Sequence, residues 1–334
     1  MKKPLLVIAA LFFSHLSESY AQTDSLKAYV TEALNLMKER SVNKKKVDWE
    51  SLYASALAKT DTARSLRGTY PIIEEALGQL QDKHSKFFPP EVIAAYNKGY
   101  RALGMPFPKP EARMIEGKYA YISVPAFYVN HLEEQREYAT SIQAALQQLD
   151  AQKPQGWIID LRRNDGGMSN PMLAGIGSFI ENEKSAGWKN ADGKATFWVY
   201  RKGKVYEGGN LVFDLASKPY VVKSRKKPVS VLVSRNSASA AEVVAMAFVG
   251  RKNTRLIGTN TNGLTSANDA HKLSDGAYLV LTEGNYIDRT QKEYAKVGEG
   301  IAADIPVGKL SKDKEENDRV YLQKAVEYLS AGSK

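Results

Sequence analysis

From Tyr119 onward the chain alternates short apolar runs with helical patterns, and this alternation limits its fold more than any other feature. Tyr119 to Val124 alternates apolar and polar residues, as a strand does. Leu132 to Leu149 has helical spacing, and Trp157-Ile158-Ile159 reads as a buried strand. Pro171 to Ile180 reads as a helix behind Ser169-Asn170. Val229 to Val233 is again a strand and Ala240 to Val249 a helix. Arg255 to Gly258 and Tyr278 to Thr282 are further strands, and Val320 to Leu329 is a closing helix. Strands of this kind bury their faces under the intervening helices, so the spacing predicts an α/β core.

The segment ahead of it reads as helical. Leu26, Tyr29, Val30, Ala33, Leu34 and Met37 recur at helical spacing behind Thr23-Asp24. Asp48 is placed to cap a second helix carrying Trp49, Leu52, Tyr53 and Leu57. Pro71 suits the first turn of a third, and the pair Pro89-Pro90 is expected to stop it from continuing. Residues 99–117 hold three prolines and three glycines and read as a connector. The expected organisation is a leader over 1–21, a helical region over 22–98, the connector over 99–117 and the α/β core with a C-terminal helix over 118–334.

Lys2 and Lys3 precede an apolar run from Leu5 to Phe13, and the stretch after it ends in Ser19-Tyr20-Ala21. That is the form of a secretory leader with a small-x-small cleavage site, so an exported protein, periplasmic or extracellular, is expected. The run is too short to span a bilayer, and no stable membrane insertion is expected. The chain has no cysteine, which excludes disulfides, thiolate metal sites and cysteine nucleophiles. Its net charge is +10, with basic clusters at Lys44-Lys45-Lys46 and over 223–227. No nucleic-acid motif accompanies them, so they read as solvated surface and nucleic acid is not an expected partner.

Chemistry concentrates in four segments. Ser237-Ala238-Ser239-Ala240-Ala241-Glu242 lies between a strand and a helix. A serine there meets free backbone N–H groups and the positive end of the helix dipole, which suits a nucleophile as well as an ordinary cap. Asp82-Lys83-His84-Ser85 precedes the core, and Asp160-Leu161-Arg162-Arg163-Asn164-Asp165-Gly166-Gly167 follows a strand. Gly258-Thr259-Asn260-Thr261-Asn262-Gly263 is followed later by Gly300-Ile301-Ala302-Ala303-Asp304-Ile305.

Together these segments resemble the C-terminal-processing and tricorn-type serine peptidases over roughly residues 48–308. The resemblance implies a crotonase/ClpP-like α/β core, with Ser239 as nucleophile and Ser237 as its rival. It implies an oxyanion hole made by the N–H of Ala240 and that of Gly166 or Gly167. Leu264 stands where the C-terminal-processing branch carries a lysine base, so the resemblance to the tricorn branch implies His84 as base. Val297 replaces that branch's glutamate and Lys83 its relay serine, leaving Glu299, Glu293 and Asp288 as candidate supporting acids, each also readable as a surface charge. His131 reads as a surface residue, and His271 as a loop residue and rival base. The connector is too short for the PDZ domain of many relatives. Peptides or unfolded polypeptides are the expected substrates, with no metal or organic cofactor. A catalytically inactive protein binding peptides or small ligands on the same scaffold, and a small-molecule esterase or amidase, are the competing expectations. The sequence does not set the oligomeric state.

Overall fold

The structure is a computed structural model that describes residues 5–331 apart from residue 83, with side chains from residue 23 onward. The expected leader over 1–21 falls outside the described side chains. Among the described residues no helix is long and apolar enough to cross a membrane. The chain divides into two units, one built from the residues up to Ile93 together with Asn268–Gly284, the other from Ala94–Ala267 together with the residues from Asn285 onward.

In the first unit three helices span Leu5–Arg40, Trp49–Thr60 and Leu66–Gly78. Asp48 caps the second as expected, its carboxylate accepting the Ser51 N–H at 3.2 Å. The third starts earlier than expected. Ser65 is its cap, accepting the Gly68 N–H at 3.2 Å, which leaves Pro71 inside the helix and not in its first turn. That helix ends at Gly78, well before the prolines, and Pro90 instead opens a new helix, Pro90–Tyr96. Its ring pre-sets the helical φ where an N–H would go unused. Between them Lys86–Phe88 forms a short strand antiparallel to Tyr278–Asp288, with Phe87 opposite Leu279. The core joins Val30, Leu34, Met37, Ile73 and Leu80 to Leu273, Leu279 and Leu281.

The second unit is built on a six-stranded sheet. Its order is Ile305–Pro306, Thr254–Gly258, Val229–Val233, Gly156–Asp160, Tyr119–Ser123 and Ala112–Ile115. All neighbours are parallel except the last pair. Strand alternation divides the residues cleanly. Ala120, Ile122, Trp157, Ile159, Val229, Val231 and Val233 face a core shared with helices Leu132–Asp150, Ser169–Gly175 and Ala240–Met246. Tyr119, Tyr121, Ile158, Leu232 and Ile257 face helix Lys314–Ala331 through Tyr321, Ala325 and Leu329. Both faces are covered, which is why Trp157–Ile159 and Val229–Val233 read as near-continuous apolar runs, and Tyr119–Ser123 is covered on both faces as well despite its alternating pattern.

The mixed α/β architecture is the one expected, with further elements added. The expected connector holds a short helix, Gly99–Ala102, and the edge strand Ala112–Ile115. Lys184–Asn190, Ala195–Arg201, Lys204–Glu207 and Asn210–Asp214 form an antiparallel meander that no apolar periodicity announces. The helix expected over 171–180 is Ser169–Gly175 followed by a 3-10 turn, Gly177–Phe179.

Candidate active site

The loops that follow Gly156–Asp160, Val229–Val233 and Thr254–Gly258 all leave the carboxyl ends of neighbouring parallel strands, where open α/β sheets place their ligands. They carry three of the four chemistry-bearing segments and bond to one another. The Ala238 N–H donates to the Asn164 carbonyl at 3.1 Å, and the Asn262 N–H to the Ser237 carbonyl at 2.9 Å. The later Gly300–Asp304 segment joins them, the Ile301 N–H donating to Thr261 Oγ1 at 2.7 Å and the Leu256 N–H to Asp304 Oδ2 at 2.8 Å.

The two rival serines separate clearly. Ser237 is fully buried, donates to the Leu161 carbonyl at 2.8 Å and accepts the Ser234 N–H at 2.9 Å. Its hydroxyl is committed to stapling the turn. Ser239 is partly exposed and stands at the N-cap of helix Ala240–Met246 with φ 49° and ψ −111°. A non-glycine residue costs of order 1–3 kcal/mol in such a region, and persists there only when its surroundings over-determine it.

Glu242 supplies the determination, a role that the sequence reading did not give it. Its fully buried carboxylate accepts the Ser239 N–H at 2.9 Å, the Thr261 hydroxyl at 2.5 Å and the Gly263 N–H at 2.8 Å. One side chain thus fixes both the strained serine and the facing loop. Burial pushes its pKa up, against the pull of the hydrogen bonds from Thr261 and the Gly263 and Ser239 backbones. The signal was present in the sequence, since a serine followed three residues later by glutamate is the pattern of a capping box.

The glycine loop packs directly on this turn. A Cβ placed on Gly166 would lie 3.0 Å from the Cβ of Ser239, and Gly166 itself has φ +120°. The Gly166 N–H is already spent on Asn164 Oδ1 at 3.0 Å. Asn164 is buried and also donates to the Val124 carbonyl at 2.9 Å. By contrast, the N–H groups of Gly167 and Ala240 have no acceptor among the described residues. The base of the loop is anchored by Asp160, whose carboxylate receives the Arg162 guanidinium at 2.6 Å and the Tyr121 hydroxyl at 2.8 Å. Arg162 continues to Asp318 at 2.7 Å.

The remaining segment lies in the other unit. Asp82 makes a turn around His84: its Oδ1 accepts the N–H groups of His84 at 3.1 Å and Ser85 at 2.6 Å, and its Oδ2 accepts the Ser85 hydroxyl at 2.9 Å. Thr282 fastens this turn from the Tyr278–Asp288 strand, its N–H donating to Ser85 Oγ at 2.9 Å and its hydroxyl to Asp82 Oδ1 at 3.1 Å. Asn268 donates to the His84 carbonyl at 3.4 Å. The turn holds the backbone of a half-buried histidine, which explains the spacing of Asp82, His84 and Ser85.

Other residues named from the sequence fall as follows. His131 caps helix Leu132–Asp150. His271 lies on strand Ser266–Lys272, not in a loop, and its Nε2 is 2.6 Å from Glu283 Oε1. That carboxylate raises the imidazole pKa. Asp288 is no surface charge, because it is fully buried, its Oδ1 taken by Thr290 and Lys292 and its Oδ2 by the Tyr294 hydroxyl. It closes its own hairpin. Glu293 pairs with Lys189 at 2.8 Å, and the largely exposed Glu299 with Lys296 at 3.5 Å. Leu264 is half-buried, Val297 is exposed, and Lys83 lies outside the described residues.

The model of one family, Peptidase family S41, matches residues 118–307, more than half of the chain and the part that carries the Ser239 turn and both glycine loops. The chain belongs to Peptidase family S41. This S41 chain is therefore a serine peptidase by class. It is 26% identical over 275 residues to the nisin-resistance protein of Lactococcus lactis, covering 82% of each chain. It is 27% identical over 201 residues to carboxyl-terminal-processing peptidase 3 of Arabidopsis thaliana, covering 60% of this chain but only 33% of that one. The chain thus spans about a third of the length of that longer peptidase. Among solved structures it resembles a lipoprotein from Streptococcus agalactiae, with a TM-score of 0.74, 22% identity and coverage of 92% and 96% of the two chains. It also resembles the photosystem II D1 C-terminal processing protease, with a TM-score of 0.63, 17% identity and coverage of 91% and 99%. Those likenesses show the fold, an S41-type α/β architecture.

Proposed function

We propose that this S41 chain hydrolyses peptide bonds in peptides or unfolded polypeptides, with Ser239 as nucleophile and His84 as its general base. The observation that carries the reading is the Ser239 turn. A strained serine stands at a helix N-terminus, packed against Gly166, beside two backbone N–H groups with no acceptor among the described residues. Ser239 Oγ adds to the scissile carbonyl as its proton passes to His84. The oxyanion is received by the N–H groups of Gly167 and Ala240, the Gly166 N–H being engaged elsewhere. His84 returns the proton to the leaving amine, and water then hydrolyses the acyl-enzyme by the same steps in reverse. The assignment of His84 rests on its Asp82-x-His84-Ser85 setting and on Leu264, which cannot accept a proton. The leader pattern over 1–21 supports an exported site of action.

Labelling by a fluorophosphonate probe tests the pair. We expect stoichiometric labelling of the wild-type protein and a labelling rate about 10²–10⁴-fold lower in His84→Ala. A His84→Ala variant labelled at the wild-type rate would remove His84 as base and leave His271, paired with Glu283, as the next candidate. The competing reading, binding without hydrolysis, is favoured by Leu264 and Val297, and folded wild-type protein that resists the probe would establish it. Gly167→Ala tests the oxyanion loop. Its Cβ would stand 2.0 Å from the Phe127 carbonyl oxygen at φ +101°, so the loop must move. Losing the donor is expected to lower kcat about 10²–10³-fold with thermal unfolding still cooperative.

A further inference from the structure

We propose that Asp269, His271 and Glu283 form a binding site for a single divalent transition-metal ion of zinc type. One ligand atom from each lies within 4.8 Å of the other two. Asp269 and His271 are two residues apart on strand Ser266–Lys272 and so project from one face, and Glu283 comes from strand Tyr278–Asp288. The site is therefore built on strands and not on a mobile tip. An imidazole nitrogen with two carboxylate oxygens is a donor set for zinc and its neighbours in the first transition row, and suits magnesium or calcium poorly.

The hydrogen bonding leaves the ligands available. Glu283 is nearly buried, yet His271 is its one partner among the described residues, and its Oε2 receives no donor. Asp269 Oδ1 accepts the Ala270 N–H at 2.8 Å, and its Oδ2 receives no donor among the described residues. Arg40 opposes a positive charge on His271, and its guanidinium pairs with Glu39 at 3.4 Å. Ligand atoms about 2.0–2.2 Å from one tetrahedral ion stand roughly 3.4 Å apart. The ion would thus draw the widest separation inward and open the direct His271–Glu283 contact of 2.6 Å. A water would complete the coordination.

The neighbours of these ligands give the site a consequence. Asn268 and Thr282, each next in sequence to a ligand, bond to each other at 3.0 Å and hold the turn that carries His84. Successive strand residues face opposite ways, so one face of the strand pair would hold the ion and the other the histidine turn.

Titration of the full chain with zinc chloride, followed by calorimetry and by melting temperature, tests the site. We expect one saturable equivalent and a rise in Tm that saturates with it. Asp269→Asn, an exposed change that leaves the fold alone, and His271→Ala should each weaken the affinity at least tenfold and remove the Tm rise. His131→Ala should bind as the wild type does. Cobalt should replace zinc and give the visible absorption of a low-coordinate ion, lost in His271→Ala. Binding that does not saturate at one equivalent, or that survives unchanged in Asp269→Asn and His271→Ala, would overturn the proposal and mark the ion as adventitious.

Discussion

Ser239→Ala is expected to abolish fluorophosphonate labelling and to lower peptide hydrolysis by about 10⁴-fold or more, as removal of an acyl-transfer nucleophile does elsewhere. The fold should survive the change. Alanine keeps the Cβ that touches Gly166, and the Glu242 carboxylate bonds to the backbone N–H of residue 239, not to its hydroxyl. Unfolding midpoints of the two proteins should therefore agree closely while activity separates them. The neighbouring hydroxyl cannot substitute, because Ser237 is buried and bonded on both sides. Turnover that persists in purified Ser239→Ala would show that the hydrolysis does not use this serine.

Glu242→Leu should have the largest effect on stability of any change near the site. It leaves the Ser239 N–H, the Thr261 hydroxyl and the Gly263 N–H without their acceptor in a buried place. Each unsatisfied group costs about 1–3 kcal/mol, so a loss of about 3 kcal/mol at the least is expected in urea unfolding. The serine would also lose the bond that holds its strained backbone, and labelling should slow in whatever fraction stays folded. The conservative change Glu242→Gln isolates the charge. The folded-state pKa of Glu242 is raised by burial, so its contribution is fully present below the unfolded carboxylate pKa and is lost as pH rises through the folded value. Wild-type stability relative to Glu242→Gln should therefore fall as pH climbs through that window. A difference that is flat with pH, or that grows with it, would show that the carboxylate is not strained by burial.

The parts of the fold that could be read in the sequence share one property. Val229–Val233, Gly156–Asp160 and helix Leu132–Asp150 each carry a full period of apolar residues, because each is buried on a whole face or on two. The meander from Lys184 to Asp214 shows no clear apolar period because its burial is partial and broken by Gly187, Lys189 and a register shift. Pro71 misled in a specific way. Proline is compatible with a first turn, but Ser65, six residues before it, caps the helix. The glycine loop and the Ser239 turn were legible because strain and close approach demand particular residues, Gly166 above all. What could not be read was division of labour within a motif. Ser237 and Ser239, like Gly166 and Gly167, differ in which hydroxyl or N–H already has a partner, and partners such as Leu161 and Asn164 come from elsewhere in the chain. Equally hidden was the return of residues 268–284 to the helical unit, since two strands carry no label naming their neighbour.

That return has a consequence for the order in which the protein is finished. The helices that end at Arg40, Thr60 and Gly78 need Leu279 and Leu281 to complete their core, and the Asp82–Ser85 turn needs Asn268 and Thr282. At about 5–20 residues per second, synthesis separates the first group from the second by on the order of ten seconds or more. During that interval the apolar helix faces have no covering and the His84 turn has no clasp. The Ser239 segment is made before the strands that hold the histidine, so on the proposed assignment the chain carries its nucleophile before its base is seated. On that assignment the pair is complete in a newborn chain only after Thr282, which clasps the histidine turn, has been made.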